Sequence, residues 1–152
     1  LALLLRFGEE VERHTRGVCP ASIGLELTES GFMRDPEQAI GLMQVLKAQG
    51  FGLAIDDFGT GYSSLAYLKR FAADTLKIDI SFVRDMLSSS HDYTIVTTII
   101  AMARSMGMKT VAEGVETVEQ AQALAALGCD QAQGFYYGRP MSADDFAMHW
   151  LR

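Results

Sequence analysis

Apolar positions along this chain follow two alternating rhythms, helical spacing and short continuous runs, and a glycine repeatedly marks the change from one to the other. Ile40, Met43 and Leu46 share one helical face. The helix they predict opens at Asp35-Pro36-Glu37-Gln38, with Asp as N-cap, Pro at the first helical position and Gln placed for a capping box. Gly50 supplies its left-handed cap, and the run Phe51 to Ile55 follows as a strand that leads into Asp56. The same order returns downstream. Ile95, Val96, Ile99, Ile100 and Ala103 predict a helix from about Asp92 to Met106 that stops at Gly107, and Met108 to Ala112 is a strand delivering Glu113. Thr117 to Gln120 caps a further helix that stops at Gly128, and Cys129 to Ala132 delivers Gln133. Thr75 to Asp79 reads as a strand carrying Lys77, and Ser88-Ser89-Ser90 as a loop between two helices. Upstream, a helix from about Leu1 to Thr15 leads through Gly17 and Pro20 into Ile23 to Leu25, which delivers Glu26.

Five strands alternating with helices, with no hairpin signals between them, predict an α/β fold with parallel strands joined by helical crossovers. Such folds gather their functional groups at the carboxyl ends of the strands. Glu26, Asp56, Asp57, Lys77, Glu113 and Gln133 all fall at or near such ends. The adjacent pair Asp56-Asp57 stands out, because neighbouring carboxylates repel and lose water as the fold packs, so they are tolerated mainly around a cation or where polar groups satisfy both. Asp-x-x-Gly is also ordinary turn chemistry. The shared position of the six polar residues favours a divalent-metal site over a plain turn.

Composition narrows the function classes. A chain of 152 residues with 49% hydrophobic content is about one domain, large enough for a real core. A net charge of −6 leaves no basic footprint for duplex nucleic acid, yet a small nucleotide is compatible if bound Mg²⁺ or Mn²⁺ neutralises its phosphates. Leu1 to Leu5 is too short to span a bilayer, so no membrane contact is expected from this segment. Cys19 and Cys129 imply no disulfide framework and are expected as small buried residues in a reducing cytoplasm. His14, His91 and His149 lie away from every strand end and read as surface or helix residues, while the methionines read as core filler.

Five motifs, in order, carry a resemblance: Glu26-Leu27-Thr28-Glu29-Ser30, the run from Asp56-Asp57-Phe58-Gly59-Thr60-Gly61 to Leu65, Leu76-Lys77-Ile78-Asp79, Val111-Ala112-Glu113-Gly114-Val115-Glu116, and Gln133-Gly134-Phe135. Together they resemble the C-terminal part of an EAL domain, the bacterial cyclic di-GMP phosphodiesterase family, which folds as a modified (β/α)8 TIM-like barrel. Such a barrel takes about 250 residues, so this chain would hold about five of its eight strand-helix units. The Glu-Ala-Leu segment and an Asn ligand of the family have no counterpart here, and residues 1–152 are expected to be the C-terminal portion of one domain. That portion alone would expose two strand edges and apolar interior, so it is expected to be ordered only with its upstream part or a second copy, and to be inactive alone.

The resemblance implies metal-dependent hydrolysis of cyclic di-GMP to linear pGpG, with two Mg²⁺ or Mn²⁺ ions. It assigns metal ligation to Glu26, Asp56 and Asp57, with Asp56 as the bridge, and gives Lys77, Glu113 and Gln133 catalytic roles. Lys77 would hold the attacking water or the phosphate, Glu113 would act as general base or as a second-metal ligand through water, and Gln133 would orient water or ligand. Glu29 would steady the loop after Asp57. Substrate contacts fall to Asp57, Phe58, Gly134, Phe135, Arg139, Pro140 and Met141, the last three shaping a rim where a guanine base could stack. Family members commonly carry Ser where Gly138 stands, a difference that touches ligand contacts. The Phe58 to Leu65 loop would couple a homodimer interface to the metals. An upstream regulatory or sensory domain is compatible with the sequence, and the expected location is cytoplasmic, although the full-length protein could be membrane-anchored.

Other readings of the same residues stand beside these. The module could be a sensor that binds cyclic di-GMP without cleaving it, although sensors of the family usually lose acidic residues that are intact here. Lys77 could be the Schiff-base amine of a barrel aldolase, which requires a depressed lysine pKa that surrounding carboxylates oppose. Lys77 could instead pair with Asp79, Glu113 and Glu116 could form a solvated acidic turn, Glu29 could simply start a helix, and the Gln133 amide could be satisfied by backbone.

Overall fold

The computed structural model describes residues 17–61 and 65–151. The helix expected over Leu1 to Thr15, His14, and the loop residues Tyr62, Ser63 and Ser64 lie outside them. Five strands, β1 (Gly24–Thr28), β2 (Gly52–Phe58), β3 (Thr75–Ile78), β4 (Lys109–Ala112) and β5 (Gln131–Ala132), form one sheet in chain order. Every neighbouring pair is parallel. The helices between them are α1 (Glu29–Phe32), α2 (Pro36–Ala48), α3 (Leu65–Leu68), α4 (Ile80–Asp85), α5 (Ser90–Ser105) and α6 (Val118–Leu127), and α7 (Ala143–Trp150) follows β5. Among the described residues, no helix is long and apolar enough to cross a membrane.

The local signals explain most boundaries. The Asp35 side chain accepts the Gln38 N–H at the start of α2, whose Ile40, Met43 and Leu46 are buried. Thr117 and Gln120 form a reciprocal capping box at α6, and Gly128 ends that helix at φ 78, the left-handed conformation that glycine adopts without a Cβ clash. The core lies between the sheet and the helices, where Leu53, Ile55, Leu76 and Ile78 of the strands meet Met43, Leu46, Val83 and Val96.

Several elements differ from expectation, each for a local reason. α5 begins at Ser90, ahead of Asp92, because the Ser89 hydroxyl accepts the Asp92 N–H. β1 runs past Glu26 to Thr28, and β2 runs past Asp56 to Phe58 through a register shift against β3. β3 stops at Ile78 because the Asp79 side chain accepts the Ser81 N–H and so starts α4. β5 begins only at Gln131, since Asp130 turns to accept the backbone N–H and hydroxyl of Thr110 at 2.8 and 3.0 Å. α7 lies beyond the elements that the sequence pattern predicts, and it starts at Ser142, whose hydroxyl accepts the Asp145 N–H as an N-cap. Cys19 corrects the expectation of burial: it is exposed, preceding the 3₁₀ turn Pro20–Ser22, whereas Cys129 is half-buried, and both are free thiols. His91 and His149 are at the surface, as expected.

Candidate metal centre

Because the five strands are parallel, their carboxyl ends open on one side of the sheet, and the ladder carries its polar residues into a common space. Thr28 stands beside Asp56 and Lys77 beside Val111 in the register. Just past the strands, the Glu113 N–H donates to the Ile78 carbonyl at 3.1 Å and the Gln133 N–H to the Ala112 carbonyl at 2.9 Å, so Glu113 and Gln133 leave the sheet side by side.

Lys77 is the hub. It is only 6% exposed, and its Nζ lies 2.7 Å from Glu26, 2.8 Å from Glu113 and 3.0 Å from Asp56. Burial works against its charge, but the bonds to Glu113, Glu26 and Asp56 outweigh that cost and hold the ammonium well above the ordinary lysine range. The pairing with Asp79 that the sequence left open is not the one found, since Asp79 is engaged at the start of α4.

Asp56, Asp57 and Glu113 each offer a carboxylate oxygen within 4.8 Å of the others. Asp57 reaches this position through a left-handed backbone at φ 55, an uncommon conformation that the bulged end of β2 imposes. Burial pushes the Asp57 carboxyl above its ordinary range, and the charges of Asp56 and Asp79 push further. Glu113 is raised chiefly by burial, with Asp56 and Glu26 adding to it and Lys77 pulling the other way. Crowded, like-charged and purely oxygen donors are what a hard divalent cation favours, so the residues fit Mg²⁺ or Mn²⁺. Glu26, expected among the metal ligands, stands outside this trio as a half-exposed partner of Lys77.

The Gln133 amide donates to a Glu113 carboxylate oxygen at 2.6 Å, so its partner is a side chain of the centre rather than backbone. Glu29 both starts α1 and reaches back: one carboxylate oxygen accepts the Gly59 N–H at 2.9 Å, and the side chain is 1% exposed. A Cβ on Gly61 would lie 2.7 Å from the other oxygen, so the loop is folded closely over this carboxylate. Glu29→Ala is expected to leave Asp56, Asp57 and Glu113 in place, release the 59–61 backbone and lower turnover about tenfold or more. A crystal structure with that loop unchanged, together with full activity, would leave Glu29 as a helix start only.

Beside the carboxylates lies a cavity of about 1010 Å³ that takes in Gln133, Gly134, Phe135, Arg139, Pro140 and Met141. The Arg139 guanidinium stacks on the Phe135 ring at 4.3 Å. Ile80, Phe146 and Trp150 complete its apolar wall, the last two from α7, so these lining residues were missed with that helix. Phe58, at the end of β2 just past a register shift, has a side chain that is 5% exposed and packs into the core.

The EAL domain family model matches residues 5–140. The chain belongs to the EAL domain family. The bifunctional diguanylate cyclase/cyclic di-GMP phosphodiesterase MucR of Pseudomonas aeruginosa is 50% identical over 125 residues, which cover 82% of this chain and 18% of MucR. Cyclic di-GMP phosphodiesterase RocR of the same organism is 39% identical over 127 residues, 84% of this chain and 32% of RocR. The MucR phosphodiesterase in complex with c-di-GMP superposes with a TM-score of 0.86 at 45% identity, covering 91% of this chain and 56% of that one. BlrP1 of Klebsiella pneumoniae, with manganese and cyclic di-GMP, gives a TM-score of 0.75 at 38% identity over 82% of this chain and 32% of that one. The chain thus spans less than a fifth of MucR. Its parallel α/β sheet is the TIM-barrel-like architecture of EAL domains.

Proposed function

We propose that this EAL domain hydrolyses one phosphodiester bond of cyclic di-GMP to give linear pGpG. The observation that carries the reading is the trio Asp56, Asp57 and Glu113 around the buried, charged Lys77 at the mouth of the sheet. Asp56, Asp57 and Glu113 would hold Mg²⁺ or Mn²⁺, with Glu26 adding to a second position, and the metal pair supplies charge neutralisation and an activated water when bound. Lys77, anchored by three carboxylates, sets its positive charge beside the phosphoryl oxygens, where negative charge grows during displacement. Glu113, raised by its burial and neighbours, accepts the proton of the attacking water, and Gln133 fixes its carboxylate. Arg139 on Phe135 offers a flat face to a guanine base in the adjoining cavity, with Gly134, Pro140 and Met141 around it.

The same ion pairs weigh against the aldolase reading, since a lysine held protonated by three carboxylates is a poor amine nucleophile. Intact carboxylates likewise favour turnover over a binding-only sensor. We infer further that residues 1–152 are the C-terminal portion of one domain in a cytoplasmic, homodimeric protein with an upstream regulatory domain; the 56% coverage of the MucR phosphodiesterase structure supports its being part of a domain.

The test is chromatography of cyclic di-GMP incubated with the complete domain and Mn²⁺ or Mg²⁺. Expected is conversion to pGpG that stops on chelation and resumes when either ion is restored. Tight binding without conversion would establish the sensor, and borohydride trapping of a carbonyl substrate on Lys77 would establish the aldolase.

A further inference from the structure

Gln120, at the third position of α6, is 6% exposed and makes four backbone contacts through its amide. Its oxygen accepts the N–H groups of Glu116 and Thr117 at 2.8 and 3.1 Å. Its nitrogen donates to the carbonyls of Val83 and Arg84 at 3.2 and 3.3 Å. The first pair belongs to the segment that leaves Glu113, and the second to the end of α4, the helix that follows Lys77 and Asp79. Carbonyls in the last turn of a helix have no partner within it, so the amide satisfies both sides at once.

This bridge closes a small frame around Glu113. At one end the Glu113 N–H is bonded to Ile78 in β3. Next, Gly114 at φ 68 lies flat on Ile80, where a Cβ would fall 2.1 Å from the Ile80 side chain. Val115 is fully buried and its N–H donates to Gln133 at 3.0 Å. At the far end stands Gln120. The segment after β4 is therefore pressed against the helix after β3, which fixes how the Glu113 carboxylate meets the Lys77 ammonium.

We propose that Gln120 is a positioning residue for the reaction, acting through Glu113 by tying the 113–117 segment to α4. This rests on the phosphodiesterase reading for its kinetic consequence, but not for its structural one. Only a side chain with an acceptor and two donors at this length serves both partners. A glutamate keeps the acceptor and sets a carboxylate against two carbonyls, and a methionine fills the space but leaves four backbone groups unsatisfied.

The experiment compares Gln120→Glu, Gln120→Met and Thr117→Ala in the protein that carries the complete EAL domain. Thr117→Ala removes the hydroxyl that accepts the Gln120 N–H and so weakens the same helix without cutting the tie. Expected is a lowered Tm with kcat within about twofold for Thr117→Ala, but a fall in kcat of about 10- to 100-fold at nearly constant KM for Gln120→Glu, as a displaced catalytic group gives. Crystal structures should show the Glu113 carboxylate moved off Lys77 in Gln120→Glu. Glu113 still 2.8 Å from Lys77, or a kcat loss no greater than in Thr117→Ala, overturns the proposal. If Gln120→Met does not fold, Gln120→Glu decides alone. If the wild-type domain does not turn over cyclic di-GMP, the phosphodiesterase reading fails, and the Glu113 position in the Gln120→Glu structure still decides whether the tie positions it.

Discussion

Asp56→Asn should remove about three orders of magnitude of cyclic di-GMP hydrolysis while leaving the fold intact. Asp56, like Glu113, belongs to both halves of the centre: it meets Lys77 at 3.0 Å and shares the 4.8 Å neighbourhood of Asp57 and Glu113. Asparagine keeps its size and removes its charge. In metal-free protein this relieves part of the repulsion on Asp57 but also removes one of the three carboxylates that face Lys77, so the Tm should change little. With Mn²⁺ present the variant should melt below the wild type, because a ligand that binds only the folded state adds stability that grows with its affinity. Thermal melts with and without Mn²⁺, beside a turnover assay, read both effects. Near wild-type turnover with an undiminished Mn²⁺-dependent rise in Tm would defeat the assignment of Asp56 as a metal ligand.

The parallel α/β order and the strand-end residues were legible because their signals are local. Asp35, Thr117 and Gly128 mark helix ends by capping chemistry confined to a few residues, and the apolar runs between them mark strands. The strand ends were less legible because long-range pairing sets them. Nothing near Phe58 announces the register shift that carries β2 through the acidic pair and buries that ring. Asp130 leaves the expected fifth strand because its partner, Thr110, lies 20 residues away. In the centre, residue types at strand ends indicated which groups meet, but not how they divide. Glu26 meets the centre through Lys77, which it shares with Asp56 and Glu113, and stands outside the trio Asp56, Asp57 and Glu113. Gln120 escaped notice because its helix-cap role accounts for it in the sequence, while its two bonds to α4 span 36 and 37 residues.

Lys77→Met should also cost about a thousandfold in turnover, and its effects on stability and on rate should come apart. Methionine fills a similar volume, so the loss is that of one charge facing Glu26, Asp56 and Glu113. Removing a buried ammonium leaves those carboxylates mutually repelling, which lowers the Tm of the metal-free protein. Mn²⁺ should restore much of that Tm, since a divalent ion supplies positive charge to the same oxygens. It should not restore turnover. A cation held among Asp56, Asp57 and Glu113 does not reproduce an ammonium fixed beside the phosphoryl group by Glu26, Asp56 and Glu113 as its charge develops. Affinity for a non-hydrolysable cyclic dinucleotide should change only a few-fold, placing the loss in kcat. Turnover recovering in step with Tm as Mn²⁺ is added would instead show that Lys77 only neutralises the carboxylates, and the catalytic role assigned to it would fall.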